Sequence, residues 1–206
     1  MRVAVVGGTG AFGKALAIRL KGAGYDVVVG SRDAERAAAV AAELGVEGLT
    51  NDEAARSAEL VVLATNADAT LATAEQLREA VGDTPVLCVA SELHFTQRGV
   101  LPCTDVLSLA ERVQNALRAP VAAGLHSLAA RSLGGEEVPE EDALVCGDDD
   151  TAKELALELA GRITRGRAVD AGPLASARAL EGLTAVLVNV NKRYKAHAGN
   201  TLSGLP

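Results

Sequence analysis

Short apolar runs alternate along the chain with longer segments of helical spacing. Residues 3–6, 25–29, 60–64, 85–90 and 121–125 are apolar almost throughout, the pattern of strands buried on both faces of a parallel sheet. Between them, 14–20, 34–44, 51–57, 69–80 and 106–117 carry helix patterns, with Asn51 or Asp52 placed to cap the third. This alternation predicts an α/β fold, a Rossmann-type, mainly parallel, doubly wound sheet. Residues 91–105 show no period and read as irregular.

The pattern changes after residue 133. The stretch 133–142 is polar and contains Gly and Pro, as a linker would. A strand at 143–146, a helix to about 162 and a short strand at 167–171 follow. A long helix over 176–197 carries Leu180, Leu183, Leu187, Val190 and Tyr194 on one face, and Gly182 within it marks close packing. The chain thus divides into a Rossmann domain over 1–135 and a small C-terminal α+β domain over 136–206. The apolar last helix also suits a subunit contact, so a homodimer is expected.

Composition narrows the partners. Of 206 residues, 49% are hydrophobic but only 2% aromatic, with no Trp, so aliphatic and backbone surfaces must do most of the work of holding a planar ligand. The net charge of −7 argues against nucleic acid and anionic membranes as partners. Cys88, Cys103 and Cys146 are odd in number and lack C-x-x-C spacing, which suits reduced thiols. Without a secretory pattern or an apolar run of the ~20 residues a membrane span needs, a cytoplasmic protein is expected. The acidic run 148–150 reads as the start of a helix with Thr151 and Glu154 as a capping box, not as a metal loop. His94 and His197 have no partner at metal-ligand spacing, and no metal is expected.

The chemistry concentrates at the ends of the strands. Gly8, Gly10 and Gly13 stand as G-x-G-x-x-G between the first strand and the first helix, the dinucleotide fingerprint. Their tasks are a tight turn, close approach to a pyrophosphate, and close helix-on-strand packing. An NAD site carries an acid about 20 residues further on. Here Ser31 and Arg32 stand there with Arg36 one turn along, a set that favours a 2′-phosphate and hence NADP(H). Asp33 could instead pair with Arg36 and leave an ordinary capped, solvated helix face. Thr65, Asn66, Ser91, His126 and Ser127 all follow strands on the edge where ligands of open α/β sheets collect. His126 either positions a hydride acceptor or is a structural hydrogen-bonder. There is no G-x-S-x-G elbow, and Tyr194-Lys195 is not a Tyr-x-x-x-Lys pair. Direct hydride transfer between two cofactors, which needs no strong acid or base, fits that absence.

These residues resemble the NADPH-dependent reductases of coenzyme F420, a deazaflavin, nearly end to end. The segments that carry the likeness are 5–14, 29–32, 145–150, and 169–174 followed by 177–181. The resemblance implies that Thr9, Gly10, Ala11 and Phe12 lie along the pyrophosphate and that Ser31, Arg32 and Arg36 hold the 2′-phosphate. It further implies that His126, Ser127 and the residues to Ala130 border the contact between nicotinamide and deazaflavin. The C-terminal part would close over the cleft, and the reaction would be reversible hydride transfer. Two loops depart from the family: 66–70 lacks its Pro-Trp segment, and 91–98 replaces its Pro-containing apolar loop. The alternatives are an NADP-dependent reductase of another small substrate and a non-enzymatic NADP(H)-sensing module.

Overall fold

The structure, a computed structural model, describes residues 1–205. In chain order its elements are β1 (Arg2–Val6), α1 (Ala11–Gly22), β2 (Asp26–Ser31), α2 (Ala34–Leu44), β3 (Glu47–Thr50), α3 (Asn51–Ser57) and β4 (Leu60–Leu63). Then come α4 (Ala67–Val81), β5 (Val86–Cys88), β6 (Leu93–Thr96), β7 (Gly99–Pro102), α5 (Leu109–Ala116), β8 (Val121–Gly124) and α6 (Ala130–Leu133). The chain ends with β9 (Ala143–Gly147), α7 (Asp150–Ile163), β10 (Ala168–Asp170), a 3₁₀ turn (Leu174–Ser176) and α8 (Ala177–Tyr194). All but β6 and β7 join one eight-stranded sheet in the order β10-β9-β8-β5-β4-β1-β2-β3.

The continuously apolar strands are buried on both faces, as their composition requires. Val3 and Val5 of β1 pack with Leu16, Leu20 and Leu159 on one side. Val6 joins Leu63, Leu77 and Leu109 on the other. From β1 the chain winds outward through β2 and β3, then returns to build β4 and β5 on the opposite side. The point of reversal, between β1 and β4, is where an open α/β sheet leaves a crevice outside its carboxyl ends.

Several sequence expectations are revised. The strands beyond residue 136 form no sheet of their own: β9 pairs with β8, and β10 with β9, so the expected 135/136 boundary falls within one continuous sheet. The β8–β9 pairing is antiparallel. Residues 91–105 contain a hairpin, with Phe95 opposite Val100, and β3 is an added edge strand. Thr50, rather than Asn51 or Asp52, caps α3 in a reciprocal box with Glu53. Asp149 caps α7 by accepting from Ala152 N–H at 2.9 Å, so Thr151 and Glu154 are not its capping box. Gly182 does not mark a tight approach, since a Cβ there would meet Pro102 at 3.7 Å, an ordinary contact.

Candidate functional site

The glycine turn is built for a backbone that comes close to something. The left-handed residue is Gly7, with φ of 79°, and a Cβ there would stand 2.8 Å from the Thr65 side chain. Gly13 brings α1 onto the turn, because a Cβ there would stand 2.6 Å from the Gly7 carbonyl. A Gly8 Cβ would meet the Val5 carbonyl at 2.7 Å. Side-chain caps terminate α2, α3, α5 and α7, whereas α1 starts at Gly10 with no side-chain cap and no acid in its first turn. Its first N–H groups and positive dipole end are thereby left for an anion.

Beside this turn, Thr9, Gly10, Ser31, Arg32, Arg36 and Asn51 line a pocket of about 250 Å³. Asp33 does not neutralise Arg36: its Oδ1 caps α2 by accepting from the Arg36 backbone N–H at 3.1 Å. Among the described residues, neither Arg32 nor Arg36 forms an ion pair. Ser31, buried at the end of β2, accepts from Asp33 N–H at 3.2 Å. Two unpaired guanidiniums and a hydroxyl around a small pocket are a donor set for a dianion.

The pocket opens into a cleft of about 700 Å³, lined by Gly10, Ala11, Phe12, Thr65, Asn66, Ser91, Leu93, Phe95 and Ala130. Thr65 is oriented by a 2.8 Å hydrogen bond to Thr70. Asn66 begins α4 without capping it through its side chain, so its amide is available to a ligand. The chain has two phenylalanines, and both line this cleft. Phe95 was not among the sequence candidates. It is 76% exposed on β6, and its hairpin is fastened to α8 by Asn189, which accepts from Val100 N–H at 2.8 Å and donates to the Val100 carbonyl at 2.7 Å.

His126 and Ser127 are not among the residues that line the cleft, whereas Ala130, at the other end of that expected segment, is. Leu125, left-handed at φ 63°, turns the chain off β8, and His126 and Ser127, both buried, border a small recess with Leu144, Leu180 and Leu183. Both ring nitrogens of His126 are buried without a hydrogen-bond partner, and burial pushes its pKa down to about 4. What His126 offers is its backbone carbonyl, which accepts from Thr184 Oγ1 at 2.9 Å. That hydroxyl also lies 3.2 Å from Ser91 Oγ. Glu181 is a second residue the sequence reading missed. Only 4% exposed, its carboxylate accepts from Leu109 N–H at 3.0 Å and Glu92 N–H at 3.5 Å, and burial pushes its pKa up to about 7. Glu92, Cys103 and Asp105 cluster within 4.8 Å of one another, but the cation among them is Arg112, paired with both acids.

Comparison with known proteins adds context to this geometry. Residues 2–91 match the profile of the family described as "NADP oxidoreductase coenzyme F420-dependent". An F420-dependent NADP reductase of Methanothermobacter thermautotrophicus is 36% identical, the alignment covering 100% of this chain and 96% of that one. One from Methanocaldococcus jannaschii is 34% identical over 95% of each. Among solved structures, an Arthrobacter protein described as an F420-dependent NADP reductase superposes with a TM-score of 0.84 at 25% identity, covering 100% of both chains.

Proposed function

The chain belongs to the F420-dependent NADP reductase family, and from that premise we propose that its cleft holds NADP(H) and coenzyme F420 together for hydride transfer between them. The observation that carries the NADP half is the pair of unpaired guanidiniums, Arg32 and Arg36, beside the uncapped N-terminus of α1. Ser31, Arg32 and Arg36 take the 2′-phosphate. Gly8, Gly10 and Gly13 let Thr9, Gly10, Ala11 and Phe12 approach the pyrophosphate. The nicotinamide and the deazaflavin then meet in the wider cleft, between Thr65 and Asn66 on one side and Ser91, Phe95 and Ala130 on the other.

The bound rings supply hydride donor and acceptor, so this chain is left with positioning and exclusion of water. Aliphatic and phenyl side chains wall the cleft and keep a reacting hydride from solvent. His126 is a positioning residue through its main chain: with Thr184 it ties the end of β8 to α8 and to Ser91. Residues 1–135 hold the dinucleotide, and residues 136–206 brace the substrate-side hairpin through α8. The protein is cytoplasmic, in keeping with its free cysteines, and a homodimer through α8, on which Val186 and Tyr194 are exposed.

Purified protein mixed with NADPH and oxidised F420 is expected to bleach the deazaflavin absorbance. Tight NADPH binding without turnover of any acceptor would replace this reading with a sensing module. Turnover of another acceptor alone would point to the departed loops, 66–70 and 91–98, as the site of a changed substrate.

A further inference from the structure

Asn51 starts α3, yet it does not cap that helix. Thr50 does, accepting from Glu53 N–H at 3.3 Å while Glu53 accepts from Thr50 N–H at 3.1 Å. The Asn51 side chain is thus released from the local role its sequence position suggests. It is only 8% exposed, and its Oδ1 is buried without a donor. A buried amide oxygen with no partner is costly, and native proteins seldom retain one without a reason. The surrounding backbone accommodates this oxygen: a Cβ at residue 30 would stand 2.9 Å from it, so Gly30 makes the space.

The amide also lies at a boundary between two recesses. On one side is the pocket of Ser31, Arg32 and Arg36. On the other is a second recess of about 250 Å³, reaching past Arg32 to Thr73, Gln76 and Leu77. Asn51 thus lines two cavities beside a dianion site, and its Oδ1, held just beneath their wall near Gly30, lacks the donor that a bound ligand could bring.

We propose that Asn51 is a ligand of the adenosine half of the dinucleotide, its Oδ1 accepting a hydrogen bond that adenosine supplies. This rests on the NADP(H) reading of the cleft. The chemistry selects the partner. An amide oxygen accepts, and an ionised 2′-phosphate offers only acceptors, which suit the two guanidiniums instead. The donor is therefore a ribose hydroxyl or the adenine amino group, and NADPH shares such groups with NADH. Asn51 serves affinity for both cofactors, and Arg32 serves the choice between them.

The test is titration of NADPH and of NADH into full-length wild type, Asn51→Ala and Asn51→Asp, with the melting temperature of each protein measured without nucleotide. Asn51→Ala is expected to weaken both nucleotides by a similar factor, about tenfold for one lost hydrogen bond. Its nucleotide-free melting temperature should equal or exceed that of wild type, because truncation removes an unpaired buried acceptor. Asn51→Asp keeps an acceptor but sets a negative charge beside the 2′-phosphate. It should hold NADH within about threefold and lose NADPH at least about tenfold. Unchanged affinity for both nucleotides in Asn51→Ala would overturn the proposal. So would a loss confined to NADPH, or a fall in nucleotide-free melting temperature with an unaltered ligand-induced rise. Wild type that binds neither nucleotide would overturn the cofactor reading itself, and this inference with it.

Discussion

At the end of β2, a serine and an arginine occupy the positions where a carboxylate would choose NAD. Arg32 faces the pocket with no acidic partner, so its removal leaves the 2′-phosphate with one guanidinium fewer and costs nothing elsewhere in the fold. Arg32→Ala is expected to weaken NADPH by about tenfold or more while changing NADH little. Equal loss for both, measured by nucleotide titration, would sink the 2′-phosphate assignment. Glu181 makes a prediction about pH. Its carboxyl titrates near 4.5 when unfolded but at about 7 in the fold, so between those values the native protein binds more protons. Stability from this group is therefore full below about 4.5 and is lost as pH rises through about 7. Wild type should lose melting temperature from pH 5 to pH 8 relative to Glu181→Gln. Parallel profiles would contradict that origin. Ser31 and Arg32 were legible in the sequence because the fingerprint fixes where the second strand must end. The inward turn of His126 was not, because it depends on a left-handed leucine, a conformation that Leu residues rarely adopt.

Elements of marginal length escaped the sequence reading in the place where function needed them. The hairpin of β6 and β7 has four residues in each strand, too few for alternation to register, and its loop lacks the Asn-Gly signal of a tight turn. It is held by tertiary contact: Asn189, far along the chain on α8, supplies the bonds a third strand would make to Val100. Paired positions share a face of a hairpin. Phe95 and Val100 are such a pair; Val100 is buried and Phe95 projects at the cleft. Phe95→Ala is expected to raise KM for F420 several-fold, leaving KM for NADPH and the melting temperature unchanged because the ring is exposed. Asn189→Ala should raise the same KM and lower the melting temperature as well. Steady-state kinetics with each substrate varied would separate the two. A rise confined to NADPH would remove the hairpin from the substrate side. Long, strongly patterned elements such as α4 and α8 were readable, apart from their ends.

The whole molecule is more continuous than its sequence suggests. Gly and Pro at 133–142 look like a linker, yet the strands beyond it extend the main sheet, with Ala122 opposite Gly147. Arg19 of α1 also donates to the Leu133, Gly135 and Glu137 carbonyls, which fastens this stretch to the first helix. Buried Asp142 pairs with the partly exposed Arg167 and also receives the C-terminal tail through Leu202 N–H at 2.7 Å, and these bonds hold the Asp142 carboxyl well below the usual carboxylate range. The long-range strand pairing is invisible to local periodicity, which explains why a separate C-terminal domain was expected. A homodimer through α8 would double the chain mass of 21.0 kDa in light scattering, and a mass of one chain at micromolar concentration would contradict it.

In the proposed mechanism one cleft holds both rings in contact and shields the transfer from water. This arrangement is tested most directly by isotope transfer from NADPH deuterated at the reactive face of C4 to oxidised F420, in ordinary water. Direct transfer predicts that the deuterium is recovered in reduced F420 with little loss to solvent. Turnover with the label washed into water, or reduction that proceeds without the two substrates bound together, would rule out direct transfer in a shared cleft.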